Sequence, residues 1–507
     1  MFARWYIWLT STRGFHLSVA LYLAGLWIIR TNLFAGTGGD DAEQLVFSQS
    51  WALGYGVGNP PLFTWATIVL TGIFGVGVGV VEGLKFLLLA ATYCLLYRAG
   101  CLLFQDSKNA ALAALSPITF YYVGWDSVLG FTHSVALIAV LAGFYFTLLR
   151  LDERSGWLDF LALGILGGLG LLTKYNFALI ALALLIAAAT DATYRKRFAS
   201  AKFAAACVLA AAIFAPHGVW LLEQSAELGR FAEDRLADKT LISFAAKAVH
   251  GIIQALSGAV NFVLPLLAIL LGLFFSAFWR AGPLEHENLR HRRILAGAYM
   301  LLAGFVLIAI LLSGAVKVRD HLFFILILLP LYGFARVEAA SLPVRRHHLF
   351  AAVIGIVALA IPLVLAGKFL LYPVTKSDTN LHIPYGEIAT EIKKAGFDRG
   401  TILADGYPYA LGGNLRRFFP DARIVSTKHA RFRPPLDEKK GQWLIVWSPH
   451  KRAGDWAQVM KDLANRYFGA GLPPSLRSRK IAAPTVPSSD QPFELFYYLT
   501  EGKGRCR

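Results

Sequence analysis

Long apolar runs follow one another along residues 15–371, and short breaks between them hold most of the charged side chains. A helix of about 20 apolar residues is long enough to cross the hydrocarbon core of a membrane. The runs therefore predict a polytopic all-α membrane protein with about eleven spans. The predicted spans cover roughly residues 15–35, 84–104, 109–125, 133–150, 158–173, 176–190, 201–222, 252–278, 295–313, 322–337 and 348–371.

The charge pattern changes after residue 371. Residues 372–507 carry Lys, Arg, Asp and Glu throughout, as water-soluble domains do. A helix-like segment at 385–395 and strand-like segments at 401–404 and 443–447 predict a small α/β fold. We therefore expect a transmembrane domain at 1–371 and a soluble C-terminal domain, the tail, at 372–507.

The chain has a net charge of +17, and basic residues outnumber acidic ones in the tail. A basic surface favours anionic partners such as lipid headgroups or acidic glycolipids. The simpler alternative is that positive charge keeps the tail soluble. The basic segments contain no recognisable nucleic-acid-binding motif, so nucleic acid is not an expected partner.

The basic clusters also predict the orientation in the membrane, because short cytoplasmic loops are enriched in Lys and Arg. If the N-terminus is cytoplasmic and the Gly-rich apolar run 61–81 lies in the interface, nearly every short basic cluster falls on the cytoplasmic side. If 61–81 were a twelfth span, the later clusters would face outward. The favoured topology places outside the tail and the loops 36–83, 126–132, 174–175, 223–251 and 314–321.

Three carboxylates stand within four residues in the first outer loop, at Asp40, Asp41 and Glu43. Such a group next to a membrane indicates a general base or a metal site. The alternative is a solvated cap, with Asp40 or Asp41 as the N-cap of a helix that starts at Ala42.

Cations lie in two other predicted outer loops. Lys174 stands between two apolar runs, where it could extend to the interface or face a phosphate. Lys317, Arg319 and His321 form a short basic group that suits phosphate binding or simply a charged loop. Carboxylates and cations on one face suit a reaction on a phosphorylated lipid, in which a base deprotonates an acceptor hydroxyl and cations stabilise the departing phosphate.

Several stretches resemble the GT-C glycosyltransferases that use polyprenyl-phosphate sugars, which include protein O-mannosyltransferase-like and aminoarabinose-transferase-like enzymes. Residues 40–62 resemble the first outer loop of that family, through the acidic group, Ser48-Gln49, Leu53-Gly54-Tyr55 and Pro60-Pro61-Leu62. Residues 168–175 resemble a second common stretch. In the tail, 412–416 and 419–423 resemble the bacterial branch that decorates lipid A or its core with galacturonic acid.

The resemblance implies roles for individual residues. Asp40 matches the catalytic base and Asp41 the neighbouring acidic position. Lys174 would lie near the donor phosphate. Lys317, Arg319 and His321 occupy the place of a basic or aromatic cluster in relatives. The family also implies a bacterial inner-membrane location, with the active site and the tail on the periplasmic face.

Two positions depart from the family pattern. Asn59 stands where many relatives have His or Lys before the Pro-Pro pair, and His133 lies in a stretch where relatives often have Asp. The nearby acid is Asp126, which could equally be a turn residue. The partner of Asp40 is therefore left open, as is a divalent metal, the one candidate cofactor. The candidate substrate-binding or metal-binding residues are Glu43, Asp126, His133 and Asn59.

The expected function is inverting transfer of a sugar, with galacturonic acid as the best match, from a polyprenyl phosphate to lipid A or the lipopolysaccharide core. The alternatives are a related enzyme with a protein acceptor, a transporter or lipid flippase, and a non-catalytic scaffold that binds glycolipid. A transporter predicts ionisable residues at mid-membrane and internal repeats, whereas the charges here lie at loop edges and no convincing repeat is present.

Overall fold

Helices dominate the computed structural model of the chain. The structure describes all residues except 1, 152–155, 237–242, 281–285, 317–319, 341, 408, 430, 436–440, 450–454, 469–471, 473–474, 489, 491 and 502–507, and it leaves out the side chains of 2, 232, 234–236, 280, 286–288 and 320–322. Lys317 and Arg319 therefore lie outside the described residues, as does the side chain of His321.

Seventeen α-helices precede residue 371 in the described part of the chain. They are α1 Phe2–Thr10, α2 Thr12–Leu33, α3 Gly39–Phe47, α4 Leu62–Phe74, α5 Val78–Leu103, α6 Ser107–Leu115, α7 Ser127–Leu129, α8 Thr132–Arg150, α9 Trp157–Leu171, α10 Phe177–Ala189, α11 Ala192–Phe198, α12 Ala201–Glu223, α13 Ser225–Leu236, α14 Phe244–Arg280, α15 His286–Ser313, α16 Leu329–Ala339 and α17 Val344–Leu370. Shorter 3₁₀ turns cover Ser116–Thr119 and Asp320–Leu328, and a π turn covers Tyr122–Asp126.

Within the described residues, seven helices are long and apolar enough to cross a membrane, namely α2, α5, α8, α12, α14, α15 and α17. The pair α10 and α11, bent by 118°, would make an eighth span. The other predicted spans are helical but shorter or broken: α9 has 15 residues, and 109–125 and 322–337 combine α6 or α16 with 3₁₀ or π turns. The fold is that of a multi-pass membrane protein.

Helix α8 occupies the centre of this helical body, because 89% of its most apolar stretch is buried inside the protein. A helix that is apolar on all sides can be buried all round, whereas the spans at the periphery bury one face and expose the other. The polar first turn of α8 is therefore placed in the middle of the outer end of the bundle.

The first outer loop contains α3 and α4. Helix α4 has 13 residues, which span about 20 Å, less than the ~30 Å hydrocarbon core of a bilayer. A break follows at Gly75, whose φ of 84° is favourable only for glycine. Helix α4 is thus one of the shorter apolar helices, as is α9, and the interfacial position of 61–81 stays a prediction.

The tail is an α/β unit, as predicted. Its elements are α18 Tyr372–Thr375, α19 Tyr385–Lys394, β1 Gly400–Ala404, α20 Leu411–Arg416, β2 Arg423–Ser426, β3 Gln442–Trp447, α21 Trp456–Phe468, β4 Arg479–Ala483 and β5 Phe493–Glu501. In the described part of the tail, five strands form one sheet in the order β2-β1-β3-β5-β4. The central strand β1 is parallel to β2 and β3, and β5 is antiparallel to β3 and β4.

Strands β1 and β3 are almost entirely buried because both faces of the sheet are covered. Leu403, Ile445 and Trp447 pack in one apolar cluster with Met460 of α21. Side chains on the opposite face pack in a second cluster with α19, α20 and the end of α3. The sheet is thus enclosed between its own helices and the first outer loop.

The tail is fixed to the first outer loop through its α20 segment. Asn414 donates to the Thr37 carbonyl at 3.2 Å and accepts from the Thr37 amide at 2.9 Å. Arg416 donates to the Leu45 carbonyl and to Ser48 Oγ. The stretch 412–416, which resembles the galacturonic-acid branch, therefore serves to attach the tail to α3.

A prediction concerns Gly413, which packs directly on the backbone of α3. A Cβ at this position would overlap the Ala42 carbonyl, so Gly413→Ala should separate α20 from α3 at a cost of about 1–3 kcal/mol. We expect faster hydrogen exchange of the α3 and α20 amides. Gly386→Ala is the control, because its Cβ would make ordinary contacts at 3.5 Å to Phe418. Equal exchange in both variants would contradict the packing.

Candidate active site

The acidic group lies in the first turn of α3, which begins at Gly39 rather than at Ala42. Asp40 and Asp41 are thus inside the helix, and the N-cap position belongs to Gly38. Carboxylates in the first turn are stabilised by the helix dipole. Because successive helical residues point about 100° apart, the two aspartates face different surroundings: Asp41 is buried and Asp40 remains open to solvent.

Asp41 belongs to a fully buried ionic network beneath α3, which we call the buried quartet: Arg30, Asp41, Glu82 and Lys85. Lys85 Nζ lies 3.1 Å from Asp41 and 2.9 Å from Glu82, and Arg30 Nε lies 3.2 Å from Glu82. All four side chains have no solvent exposure. Two cations and two carboxylates balance in formal charge, which is the condition under which ions are tolerated in a protein interior.

Asp40 is accessible to solvent, but the protein that surrounds it removes much of its hydration. This desolvation raises the pKa of Asp40, and the negative charge of Glu43 raises it further. The charges of Lys174, Lys428 and Lys85 act in the opposite direction. A carboxylate with a raised pKa is a stronger base than an ordinary aspartate, which suits proton abstraction.

Glu43 lies one turn further along α3 and meets two side chains of the tail. His429 Nε2 is 3.1 Å and Lys428 Nζ 3.4 Å from the same carboxylate oxygen. Burial alone would raise the pKa of Glu43. The hydrogen bond from His429 and the charges of His429 and Lys428 outweigh it and lower the pKa to about 2. Glu43 is therefore an ionised partner of the tail.

Lys174 lies in the turn between α9 and α10, at the same end of the bundle as α3. The amide of Leu62, at the start of α4, donates to the Leu172 carbonyl at 3.0 Å. Lys174 Nζ stands 5.7 Å from the ring of Phe324, which belongs to the 3₁₀ turn that also contains His321. The positive charge of Lys174 also acts to lower the pKa of Asp40, as expected of two residues at the same end of the bundle.

His133 stands in the first turn of α8 and is buried. Its Nε2 lies 3.1 Å from Gln44 Nε2, and Gln44 Oε1 accepts from Thr64 Oγ1 at 2.7 Å. Gln44 thus links the imidazole of His133 to the hydroxyl of Thr64. His133 therefore connects α3, α4 and α8 below the acidic turn.

Two other candidates, Asp126 and Asn59, lie near other parts of the chain. Asp126, in the π turn, interacts with Tyr121. Asn59 lies in the turn before α4, next to Gly58, which packs towards Phe231 of α13. Neither belongs to the charges that act most strongly on Asp40.

A divalent cation requires several ligand atoms that converge on one point. In the described part of the chain, no three His, Cys, Asp or Glu side chains converge on one point. Asp41 is engaged by Lys85, and one oxygen of Glu43 by Lys428 and His429. Asp41 and Glu43 are therefore directed at protein cations, and the described residues around Asp40 do not fit a metal ion.

Sequence reasoning missed the residues that support α3 from below and from the tail. Arg30, Glu82 and Lys85 lie at the ends of apolar runs, and charged residues inside or beside spans are a signal of buried pairing. Their spacing of three residues, from Glu82 to Lys85, places both on one face of α5. The sequence around Lys428 and His429 does not indicate their role, because their partner Glu43 lies in α3, far away in sequence.

Comparison with known proteins shows similarity over the helical body and the tail. A family profile described as dolichyl-phosphate-mannose-protein mannosyltransferase matches residues 58–220. The lipopolysaccharide core galacturonosyltransferase RgtA of Rhizobium johnstonii is 30% identical over 431 residues, which are 83% of this chain and 84% of the relative. RgtB of the same organism is 27% identical over 411 residues, 80% of this chain and 81% of the relative.

The fold is also similar to that of a solved structure, ArnT from Cupriavidus metallidurans bound to undecaprenyl phosphate. The TM-score is 0.58 at 14% sequence identity, and the superposition covers 96% of this chain and 98% of the other. At this identity the likeness concerns the fold alone.

The buried quartet yields a stability prediction. Lys85→Met would leave two buried carboxylates, Asp41 and Glu82, without their shared cation, and loss of one buried partner costs about 3–5 kcal/mol. We expect a markedly lower midpoint of thermal unfolding in detergent.

Lys394→Met is the matched control, because Lys394 forms an exposed ion pair with Glu391, worth about 0–1 kcal/mol. If the two variants unfolded at the same temperature, the quartet would not stabilise the fold.

Proposed function

Because the chain belongs to the GT-C glycosyltransferases, in the branch of the lipopolysaccharide core galacturonosyltransferases, we propose that it transfers a sugar from a polyprenyl phosphate to lipid A or the lipopolysaccharide core, with Asp40 as the general base. The observation that carries the proposal is the position of Asp40. It is a solvent-accessible carboxylate with a raised pKa, held above a buried ionic network and within the field of Lys174.

The reaction proceeds as a direct displacement. Asp40 takes the proton of an acceptor hydroxyl, and the hydroxyl oxygen forms a bond to the anomeric carbon of the donor sugar. The bond from that carbon to the phosphate oxygen breaks, and the electron pair leaves with the polyprenyl phosphate. The configuration at the anomeric carbon inverts, and no covalent intermediate with the protein is needed. Asp41 holds α3 in place through Lys85 and does not exchange protons with the substrate.

Cations stabilise the charge that develops on the departing phosphate. Lys174 has this role in the proposal, because it shares the outer end of the bundle with Asp40 and acts on its charge. Lys317, Arg319 and His321 are assigned to the same phosphate from the sequence. The donor is proposed from the relatives: undecaprenyl phosphate is the ligand named for ArnT, and galacturonic acid is the sugar named for RgtA and RgtB.

The orientation follows from the site and the charge pattern. The tail is hydrogen bonded to the first outer loop, so Asp40 and the tail lie on the same side of the membrane. The basic clusters place the other face in the cytoplasm. We therefore assign the reaction to the periplasmic face of a bacterial inner membrane, with the N-terminus in the cytoplasm.

One observation favours a second acceptor class. The family profile that matches residues 58–220 carries the description of a protein mannosyltransferase, an enzyme whose acceptor is a protein. A protein hydroxyl would react by the same displacement. Supplying purified lipopolysaccharide and membrane proteins as separate acceptors distinguishes the two.

The central test is Asp40→Asn, assayed in sealed right-side-out vesicles with labelled donor lipid and acceptor supplied outside. The amide cannot take a proton, so we expect sugar transfer to fall by about 10²- to 10⁴-fold while membrane insertion stays intact. Asp398→Asn serves as the control, because this exposed carboxylate precedes β1 at the opposite edge of the sheet. Near-normal product yield in Asp40→Asn would refute the assignment.

The charge of Glu43 yields a pH prediction. Transfer requires ionised Asp40, so kcat/KM should fall as the pH drops through the pKa of Asp40, which lies above its ordinary value of 3.8. Glu43 remains ionised over this range, because its own pKa is lowered to about 2. Glu43→Gln removes a negative charge that raises the pKa of Asp40. The acid limb of the plot of kcat/KM against pH should therefore shift to lower pH. An unshifted limb would show that Asp40 does not control it.

A further inference from the structure

The tail directs the carboxyl ends of its parallel strands at α3. The chain passes from β1 to β2 on one side and then to β3 on the other, so β1 is the point where the strand order reverses. In open α/β sheets, ligands bind at the carboxyl ends of the strands beside such a point. The two segments at this edge are 405–407, after β1, and 427–429, after β2.

These two segments are held closely together. Thr427 Oγ1 accepts from the Gly406 amide at 2.9 Å and lies 3.3 Å from the Asp405 carboxylate. A Cβ at Gly406 would overlap the backbone of Lys428. The position of the Lys428 backbone is thus determined by direct packing between the ends of β1 and β2.

Lys428 and His429 extend from this edge to the acidic turn of α3. Lys428 Nζ is 3.4 Å from Glu43 and 5.6 Å from the centre of the Tyr407 ring. The side chain of Lys428 retains 26% exposure, and Tyr407 is 53% exposed. An accessible ammonium group and an accessible aromatic ring therefore stand side by side, within electrostatic range of Asp40.

This arrangement has the chemistry of a site for an acidic sugar. An ammonium group carries three N–H donors, and the contact of Lys428 with Glu43 occupies one of them. A second carboxylate can therefore be bound by the same cation. The Tyr407 ring offers an apolar face for the C–H groups of a pyranose. A neutral sugar could accept a hydrogen bond from this ammonium group, but it would lack the stronger interaction between opposite charges.

We propose that Lys428, assisted by His429 and Tyr407, binds the carboxylate of an acidic sugar, so that the tail forms a specificity-determining wall of the active site. The carboxylate belongs either to a uronic acid on the donor or to an acidic sugar of the acceptor. This inference rests on the proposed glycosyl transfer. Lys428 then acts on substrate choice, whereas Asp40 acts on the chemical step.

Donor choice tests the proposal with two polyprenyl-phosphate donors, one carrying galacturonic acid and one carrying galactose. Loss of a hydrogen bond to a charged group costs about 1.5–3 kcal/mol. In Lys428→Gln we therefore expect the KM of the uronate donor to rise about 10- to 100-fold, with the KM of the neutral donor unchanged. Lys428→Arg should retain much of the preference. Lys480→Gln, which removes a tail cation paired with Glu494, is the control and should change neither KM.

Acceptor choice forms the second arm. With the neutral donor held constant, native acceptor is compared with acceptor whose carboxylates have been reduced to alcohols. If Lys428 binds the acceptor, Lys428→Gln should weaken only the native acceptor, and the donor arm should show no discrimination. Equal loss for all substrates would mean that Lys428 only positions Glu43, and it would overturn the proposal. No change with any substrate would overturn it equally.

A binding measurement separates this inference from the proposed function. Thermal unfolding of the purified chain is followed with galacturonic acid 1-phosphate and with galactose 1-phosphate, neither of which requires turnover. We expect greater stabilisation by the uronic acid, lost in Lys428→Gln and kept in Lys480→Gln. Discrimination without transfer would refute the proposed reaction alone. Transfer without any dependence on Lys428 in the kinetic and binding tests would refute the carboxylate site alone.

Discussion

The buried quartet beneath α3 is the interaction on which the geometry of the outer end depends. Lys85 connects the first outer loop to α5 through Asp41, and Glu82 connects α5 to Arg30 of α2. Because these groups are fully buried, none of them can move into water without leaving another uncompensated in the protein interior. The rotation of α3 about its axis is thereby fixed. With Asp41 held inward, its neighbour Asp40 must face the opening.

The tail completes this arrangement from above. Asn414 and Arg416 bind the backbone of the first outer loop, and Gly413 permits α20 to approach the Ala42 carbonyl. Gln49 in turn accepts from the Ile424 amide at 2.7 Å and donates to its carbonyl at 3.0 Å. Helix α3 is thus enclosed between α5 and the sheet. The tail and the first outer loop therefore form one packed unit at the end of the helical body.

Much of this architecture could be predicted from the sequence, because hydrophobic runs and their interruptions are local signals. The apolar segments, the helix at 385–395 and the strands at 401–404 and 443–447 follow from periodicity alone. The difference between Asp40 and Asp41 could not be predicted, since it depends on Lys85, which meets Asp41 across 44 residues of sequence. The contact of Lys428 with Glu43 spans 385 residues. Conversely, the charge of Asp126 is not among those that act most strongly on Asp40, although the two residues lie in neighbouring predicted outer loops.

The charges around Asp40 resolve a conflict inherent in the proposed reaction. Cations that stabilise a departing phosphate also stabilise an ionised carboxylate, and they would make Asp40 a weaker base. Desolvation and the adjacent charge of Glu43 oppose that effect, and together they keep the pKa of Asp40 raised despite three lysines. When an anionic donor binds, its phosphate offsets the positive charge of Lys174. Lys174 then lowers the pKa of Asp40 less strongly, so the carboxylate becomes a stronger base in the complex than in the free protein. In the proposed reaction the same lysine therefore stabilises the leaving group and makes the basicity of Asp40 depend on donor binding.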